Sequence, residues 1–251
     1  MEEAQETFLS HLIELRGRLV KSLVVFFVAC APTLYFSAEL YDLLAAPLMA
    51  NLPEGSRMIA TGVITPFLIP VKISFMAAFV LVLPFILYQV WAFVAPGLYL
   101  HEKRLALPLV VSSTLLFLAG MVFCYFVVFG GVFRFIATFA PKSISVAPDI
   151  EAYFNFVLGM FLAFGLAFEV PVVVVVLVLM GIVNVAQLRE WRGYVVVAIF
   201  IVAAVVTPPD VVSQIALALP MCLLYEVGIL LGQGIEKRRK AAPVPGEAAQ
   251  E

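Results

Sequence analysis

Six apolar stretches separated by short polar segments make up most of the chain. They run about Leu19–Phe36, Pro66–Phe93, Leu105–Val128, Ala152–Ile182, Gly193–Val206 and Val211–Leu231. Crossing a bilayer takes about 20 apolar residues as a helix, so the long stretches are read as transmembrane spans. The fifth holds roughly 14 apolar residues, about 21 Å at 1.5 Å per residue, against a hydrocarbon core of about 30 Å. Such a helix thins the bilayer locally or borrows length from partners. The sixth is near full length but carries Gln214, Pro220 and Glu226. Between the last two, Thr207-Pro-Pro-Asp210 predicts an extended turn, with Asp210 set to cap the following helix. No internal repeat of the inverted-transporter kind is visible.

Composition agrees with this pattern. The chain is 64% hydrophobic and 13% charged, with mean hydropathy +1.10. Soluble domains are about 45–50% apolar, so an all-α integral membrane protein is predicted. The net charge of −2 says little, because charge in a membrane protein acts by location. Six spans put both termini on one side. With them go Arg16, Arg18, Lys21, Lys103, Arg104, Arg189, Arg192, Lys237, Arg238, Arg239 and Lys240, leaving Arg57, Lys72, Arg134 and Lys142 opposite. That excess predicts cytoplasmic termini. Residues 1–235 read as one polytopic membrane domain, including an N-terminal amphipathic helix at about 7–18. Residues 236–251 read as a basic cytoplasmic segment and then a disordered tail. The acidic start (Glu2, Glu3, Glu6) is the opposite of a signal-peptide n-region. Cys30, Cys124 and Cys222 all fall in apolar segments, which suggests neither a disulfide framework nor a metal site.

Against this background the polar exceptions stand out. Glu169 is the only ionisable side chain between Phe156 and Val183. A carboxylate near the middle of a span costs roughly 2.5–3.5 kcal/mol on insertion scales, which marks it as a functional candidate. Pro171 removes a backbone donor and frees the Ala167 carbonyl, so a kink is expected beside the acid. The acid there needs a partner, trapped water or a proton. A proton-coupled small-solute transporter, with Glu169 as coupling acid, is one reading; a protonated acid bonded to a neighbouring helix is another.

Further candidates lie at the span ends. Phe8, Leu12, Leu15 and Leu19 recur at helical spacing, with His11, Glu14 and Arg18 on another face. This predicts an amphipathic helix lying on the membrane surface before the first span. Glu14–Arg18 is there an ordinary i,i+4 pair, or Glu14 accepts a cationic ligand. Trp91, Phe93 and Tyr99 read as an interfacial belt. Pro96-Gly97 turns the chain, and Glu102 sits at a loop tip beside Lys103 and Arg104. Were Glu14 and Glu102 to converge, each could grip a guanidinium through charge-assisted bonds. Thr207, Asp210 and Gln214 are either a capping arrangement or a docking point for another helix. His11 and His101 lack metal-ligand spacing. No phosphate loop, nucleophile elbow or paired intramembrane acids are seen, so neither an enzyme nor a metal site is expected. The Lys237–Lys240 cluster is read as marking the membrane interface, not nucleic-acid binding.

Five motifs then fall in order over about Phe8–Gly232: Ser10-His-Leu-Ile-Glu-Leu-Arg-Gly-Arg18, Ala46-Pro47-Leu48, Leu87–Tyr99 with His101-Glu-Lys-Arg104, Phe168-Glu-Val-Pro171, and Thr207–Gln214. Together they resemble the TatC family, the multispanning subunit of the twin-arginine protein translocase. The resemblance implies a six-helix, cup-shaped bundle with short helices five and six in the cytoplasmic (inner) membrane. It implies binding of twin-arginine signal peptides on folded cargo and transport driven by the proton-motive force. Single-span TatA- and TatB-like partners, self-association in a receptor complex and no cofactor are also implied. Glu14 and Glu102 would accept the arginine pair, with Arg16, Phe93 and Arg104 around them and Pro47 also sensitive. Glu169 would line the groove of the cup. Thr207 and Gln214 would take part in partner-helix docking, and Asp210 would be the sensitive acid of the outer loop. Gly17 and Gly97 stand where relatives often have other residues.

Overall fold

The computed structural model describes residues 2–51, 57–94, 103–139, 147–207 and 211–241. All regular structure among them is helical. The helices are α1 (Glu2–Tyr35), α2 (Ser37–Met49), α3 (Thr65–Val94), α4 (Lys103–Phe123), α5 (Phe129–Phe139), α6 (Ile150–Phe168), α7 (Val170–Leu179), α8 (Val185–Glu190), α9 (Arg192–Val206) and α10 (Val211–Ala241). Helix is the form that satisfies every backbone donor and acceptor within its own segment, which hydrocarbon demands.

Five segments are long and apolar enough to span: Ser10–Tyr35, Thr65–Val94, Leu107–Phe135, Ile150–Leu179 and Val211–Lys237. The 15-residue α9 is the shorter sixth apolar helix. The expected spans are thus present, with three differences. First, the third runs on past Val128: a π-helical turn, Cys124–Val128, joins α4 to α5 without breaking the helix. Second, of the expected short pair only α9 is short, because α10 continues for 31 residues through the basic cluster to Ala241. Third, the N-terminal amphipathic segment is no separate surface element. It is continuous with the first span in α1, and Gly17 lies inside this helix with open space around it.

The two faces of that segment meet different surroundings. Leu12, Leu15 and Leu19 face outward, while His11 and Arg18 reach toward α3. Where the surroundings are lipid, the apolar stripe turns out and the polar face seeks protein.

The largest core cluster joins α2, α3, the π turn, α5, α6, α9 and α10 around Phe129, Phe154, Met160 and Phe164. Small residues allow close approach of α4 and α6. A Cβ on Gly120 would collide with the Phe164 carbonyl, and one on Gly165 with the Phe117 ring. Glycine suits such contacts because helices in lipid associate by close packing. The helix α2 was not foreseen. It is tied down by Tyr125 Oη donating to the Leu43 carbonyl (2.9 Å) and Tyr153 Oη to the Leu44 carbonyl (2.6 Å). Its Pro47 lies in the last turn, where its carbonyl accepts from Asn51 Nδ2 at 2.8 Å.

At the same end, Ile59 pairs with the start of α6: its N–H donates to the Pro148 carbonyl and its carbonyl accepts from Ile150, both at 2.9 Å. Asp149 caps α6 through the Ala152 N–H (3.0 Å) and accepts from Thr61 N–H and Oγ1 (3.2 and 2.8 Å). The Ala152 N–H first, then the Thr61 hydroxyl, hold its carboxyl below the usual aspartate range.

Two predictions follow from this packing. Gly120→Val and Gly165→Val should each lose about 1–3 kcal/mol through overpacking, read as a lower unfolding temperature in micelles, while Gly131→Ala should not. The Asp149 clamp is complete above the ordinary aspartate pKa of about 3.9 and is lost as pH falls through the lower folded value. Amide protection at Thr61 and Ala152 should therefore drop on acidification below about pH 4 in the wild type but stay pH-independent in Asp149→Asn.

Candidate functional site

A group of polar residues gathers where the first half of α1 meets the end of α3. Arg18, one turn after Glu14, donates to Glu14 Oε1 from Nε at 2.9 Å and from Nη2 at 2.7 Å. The third contact of the guanidinium is Nη1 to Gln89 Oε1 on α3, at 3.0 Å. His11 Nδ1 stands 3.9 Å from Glu14 Oε2, and its ring stacks on Phe93 with centroids 4.3 Å apart. The Glu14 side chain is 41% exposed, so its carboxylate is open to an approaching ligand. Arg16 is exposed and two residues from Glu14, hence on a different helix face. Glu102 and Asp210 lie outside the described residues, as does the side chain of Arg104.

The second polar site is deeper. Glu169 falls between α6 and α7, with Pro171 in the first turn of α7, so the expected break is present. It is 7% exposed, and neither carboxyl oxygen has a hydrogen-bond partner among the described residues. The Ser113 hydroxyl on α4 lies beside it. That hydroxyl accepts from Trp91 Nε1 at 2.9 Å in a fully buried contact. Trp91 therefore departs from its expected place in an interfacial belt: the indole points into the bundle because its N–H finds a buried acceptor there. Gln89, Trp91 and Phe93 all come from the last two turns of α3 and reach Arg18, Ser113 and His11 respectively.

The third site is quieter. Thr207 is buried and donates to the Ala203 carbonyl at 2.8 Å, terminating α9. Gln214 Nε2 reaches across from α10 to the Phe200 carbonyl at 3.3 Å. Gln214 thus helps join the two helices, while Thr207 closes α9 on itself. At the far end of α9, Arg192 pairs with Glu226 of α10 at 2.6 Å. Pro47 adjoins a cavity of about 370 Å³ lined by Tyr41, Asp42, Ala45, Ala46, Met49, Arg57 and Met58.

Sequence reasoning missed Gln89 and Ser113. A buried amide and a buried hydroxyl inside spans were the available signal, since in hydrocarbon each needs a partner. No group of His, Cys, Asp and Glu suited to a metal occurs among the described residues.

These features define a multi-pass helical membrane protein with an exposed Glu14–Arg18 pair on α1 and a buried acid, Glu169, between α6 and α7. Residues 10–220 match the family described as Sec-independent protein translocase protein (TatC). Among curated relatives, the Azotobacter chroococcum mcd 1 protein of that name is 51% identical, over 94% of this chain and 93% of its own length. The Escherichia coli K12 protein is 49% identical over 92% and 90%. A solved structure titled as the twin arginine translocase receptor TatC superposes with a TM-score of 0.79 at 38% identity, covering 89% of this chain and 98% of the other. The chain belongs to the TatC family. It is accordingly a transport subunit of the twin-arginine protein translocase and not an enzyme. The small-solute transporter reading, with Glu169 as coupling acid, is not favoured by these likenesses.

The Trp91–Ser113 bond is testable. In a double-mutant cycle with Trp91→Phe and Ser113→Ala, the two losses of stability should be non-additive by about 0.6–1.7 kcal/mol, the range for buried interhelical bonds. Additive losses in thermal unfolding would show that the bond contributes nothing.

Proposed function

We propose that this chain is the receptor of its translocase, binding twin-arginine signal peptides of folded cargo at Glu14 and Glu102. The observation that carries the reading is the way Glu14 already holds a guanidinium. Two N–H groups of Arg18 meet one carboxylate oxygen at an exposed end of the bundle. A carboxylate so placed is chemically suited to an arginine ligand, and Arg favours such charge-assisted contacts over Lys. Glu102 directly precedes Lys103, the first residue of α4, and supplies the second acid for the second arginine. Arg16, Phe93 and Arg104 flank this surface.

The distribution of Lys and Arg supports both termini lying in the cytoplasm, with the chain in the cytoplasmic (inner) membrane. TatA- and TatB-like single-span proteins are the partners, and further copies of the chain join in a receptor complex. The short α9, with Gln214 and Thr207 at its end, is the docking region for a partner helix, since a short span favours lateral association. Transport draws on the proton-motive force, with Glu169 acting after signal recognition; Pro47 and Asp210 are sensitive positions of the opposite end.

Photo-crosslinking of a twin-arginine signal peptide to membranes carrying the protein tests the assignment. Contacts should appear near Glu14 and Glu102 and vanish when the arginines become lysines. Glu102→Gln should weaken signal binding, while Glu169→Ala should leave binding intact and impair later transport. Equal crosslinking of lysine peptides, or unchanged affinity of Glu102→Gln, would sink the recognition role.

A further inference from the structure

We propose that Arg18 is a built-in competitor for the guanidinium site on Glu14, and that Gln89 holds it in reserve. The inference rests on Glu14 being an arginine acceptor, as argued above. A ligand guanidinium gripping a carboxylate in the bidentate manner needs both oxygens. In the free protein Oε1 is already taken by two N–H groups of Arg18, at 2.9 and 2.7 Å. Only Oε2 remains, with His11 Nδ1 at 3.9 Å. A full grip by the ligand therefore displaces Arg18.

Gln89 makes that exchange easy. It is 9% exposed on α3, and its amide oxygen accepts from Arg18 Nη1 at 3.0 Å. The contact involves a different nitrogen from those on Glu14, so Arg18 keeps it when the carboxylate is surrendered. An amide is neutral and does not cancel the charge of Arg18, which stays 24% exposed to water. Binding is then a swap of one guanidinium for another at Glu14, with Arg18 parked on α3. The acid is never left bare between ligands.

The thermodynamic consequence is specific. An intramolecular competitor divides the affinity of every ligand at the site by the same factor. It sets the threshold that a ligand must exceed and leaves the preference for arginine over lysine unchanged. For a partly exposed pair the factor is about two- to six-fold.

The test is a titration of the full chain in lipid nanodiscs with a labelled diarginine signal peptide and its dilysine counterpart. Arg18→Gln should tighten both by the same factor, about two- to six-fold, with their ratio preserved. Gln89→Leu, which removes the contact that holds the displaced Arg18 on α3, should instead weaken both by a common factor, with their ratio preserved. Lys21→Gln, which removes a charge one turn away without touching Glu14, should change neither. Unchanged or weaker binding to Arg18→Gln, with the wild type still preferring arginine, overturns the competitor and leaves Glu14 as acceptor. Equal tightening by Lys21→Gln, or a changed ratio in Arg18→Gln, also overturns it. A wild type that does not distinguish the two peptides removes the recognition reading, and the competitor with it.

Discussion

Hydrocarbon offers no hydrogen bonds, and every other feature of this protein answers to that constraint. Each backbone donor and acceptor at membrane depth must be satisfied by the chain itself, so the spans are helices and their interruptions are costly. The interruptions that do occur have local compensation. The π turn at Cys124–Val128 keeps the third span continuous. The break at Glu169 returns its own N–H to the Leu166 carbonyl and offers its carbonyl to Val173, at 3.1 and 3.0 Å. Thr207 closes α9 by donating to Ala203. Among the described residues the buried Glu169 carboxyl has no hydrogen-bond partner, and this makes it conspicuous.

The same constraint explains how side chains are shared among helices. Buried polar groups are few, and several contacts pair them across elements: Trp91 with Ser113, Arg18 with Gln89, Tyr153 with the Leu44 carbonyl. The end of α3 collects two of these and the His11–Phe93 stack besides. One rigid helix thus touches both the exposed Glu14 surface and the neighbourhood of the buried acid. A shift of α3 on ligand binding would be felt at both places, because a helix transmits displacement along its axis with little bending.

Much of this was legible beforehand for simple reasons. Spans are read from apolar length, which lipid dictates directly. The break near Pro171 follows from a missing donor, and the i,i+4 pair of Glu14 and Arg18 from helical periodicity. The N-terminal stripe shows where such reasoning stops. Spacing gave the helical stripe, but not that the segment would run unbroken into the span. Trp91 shows the same limit: its residue type suits an interface, and only the presence of Ser113 across the bundle draws it inward.

By itself the chain determined its long apolar stretches, the side on which positive charge collects and the acids available for recognition. These depend on local composition and on transfer from water to lipid, which act residue by residue. Tertiary structure decided which polar groups meet. It put Gln89 against an arginine 71 positions away and Trp91 against Ser113, and it buried Glu169 beside the same Ser113 hydroxyl. Those outcomes turn on interhelical distances of a few ångströms and on the rotation of each helix about its axis. Periodicity fixes which residues share a face, but only packing against particular neighbours chooses what that face meets.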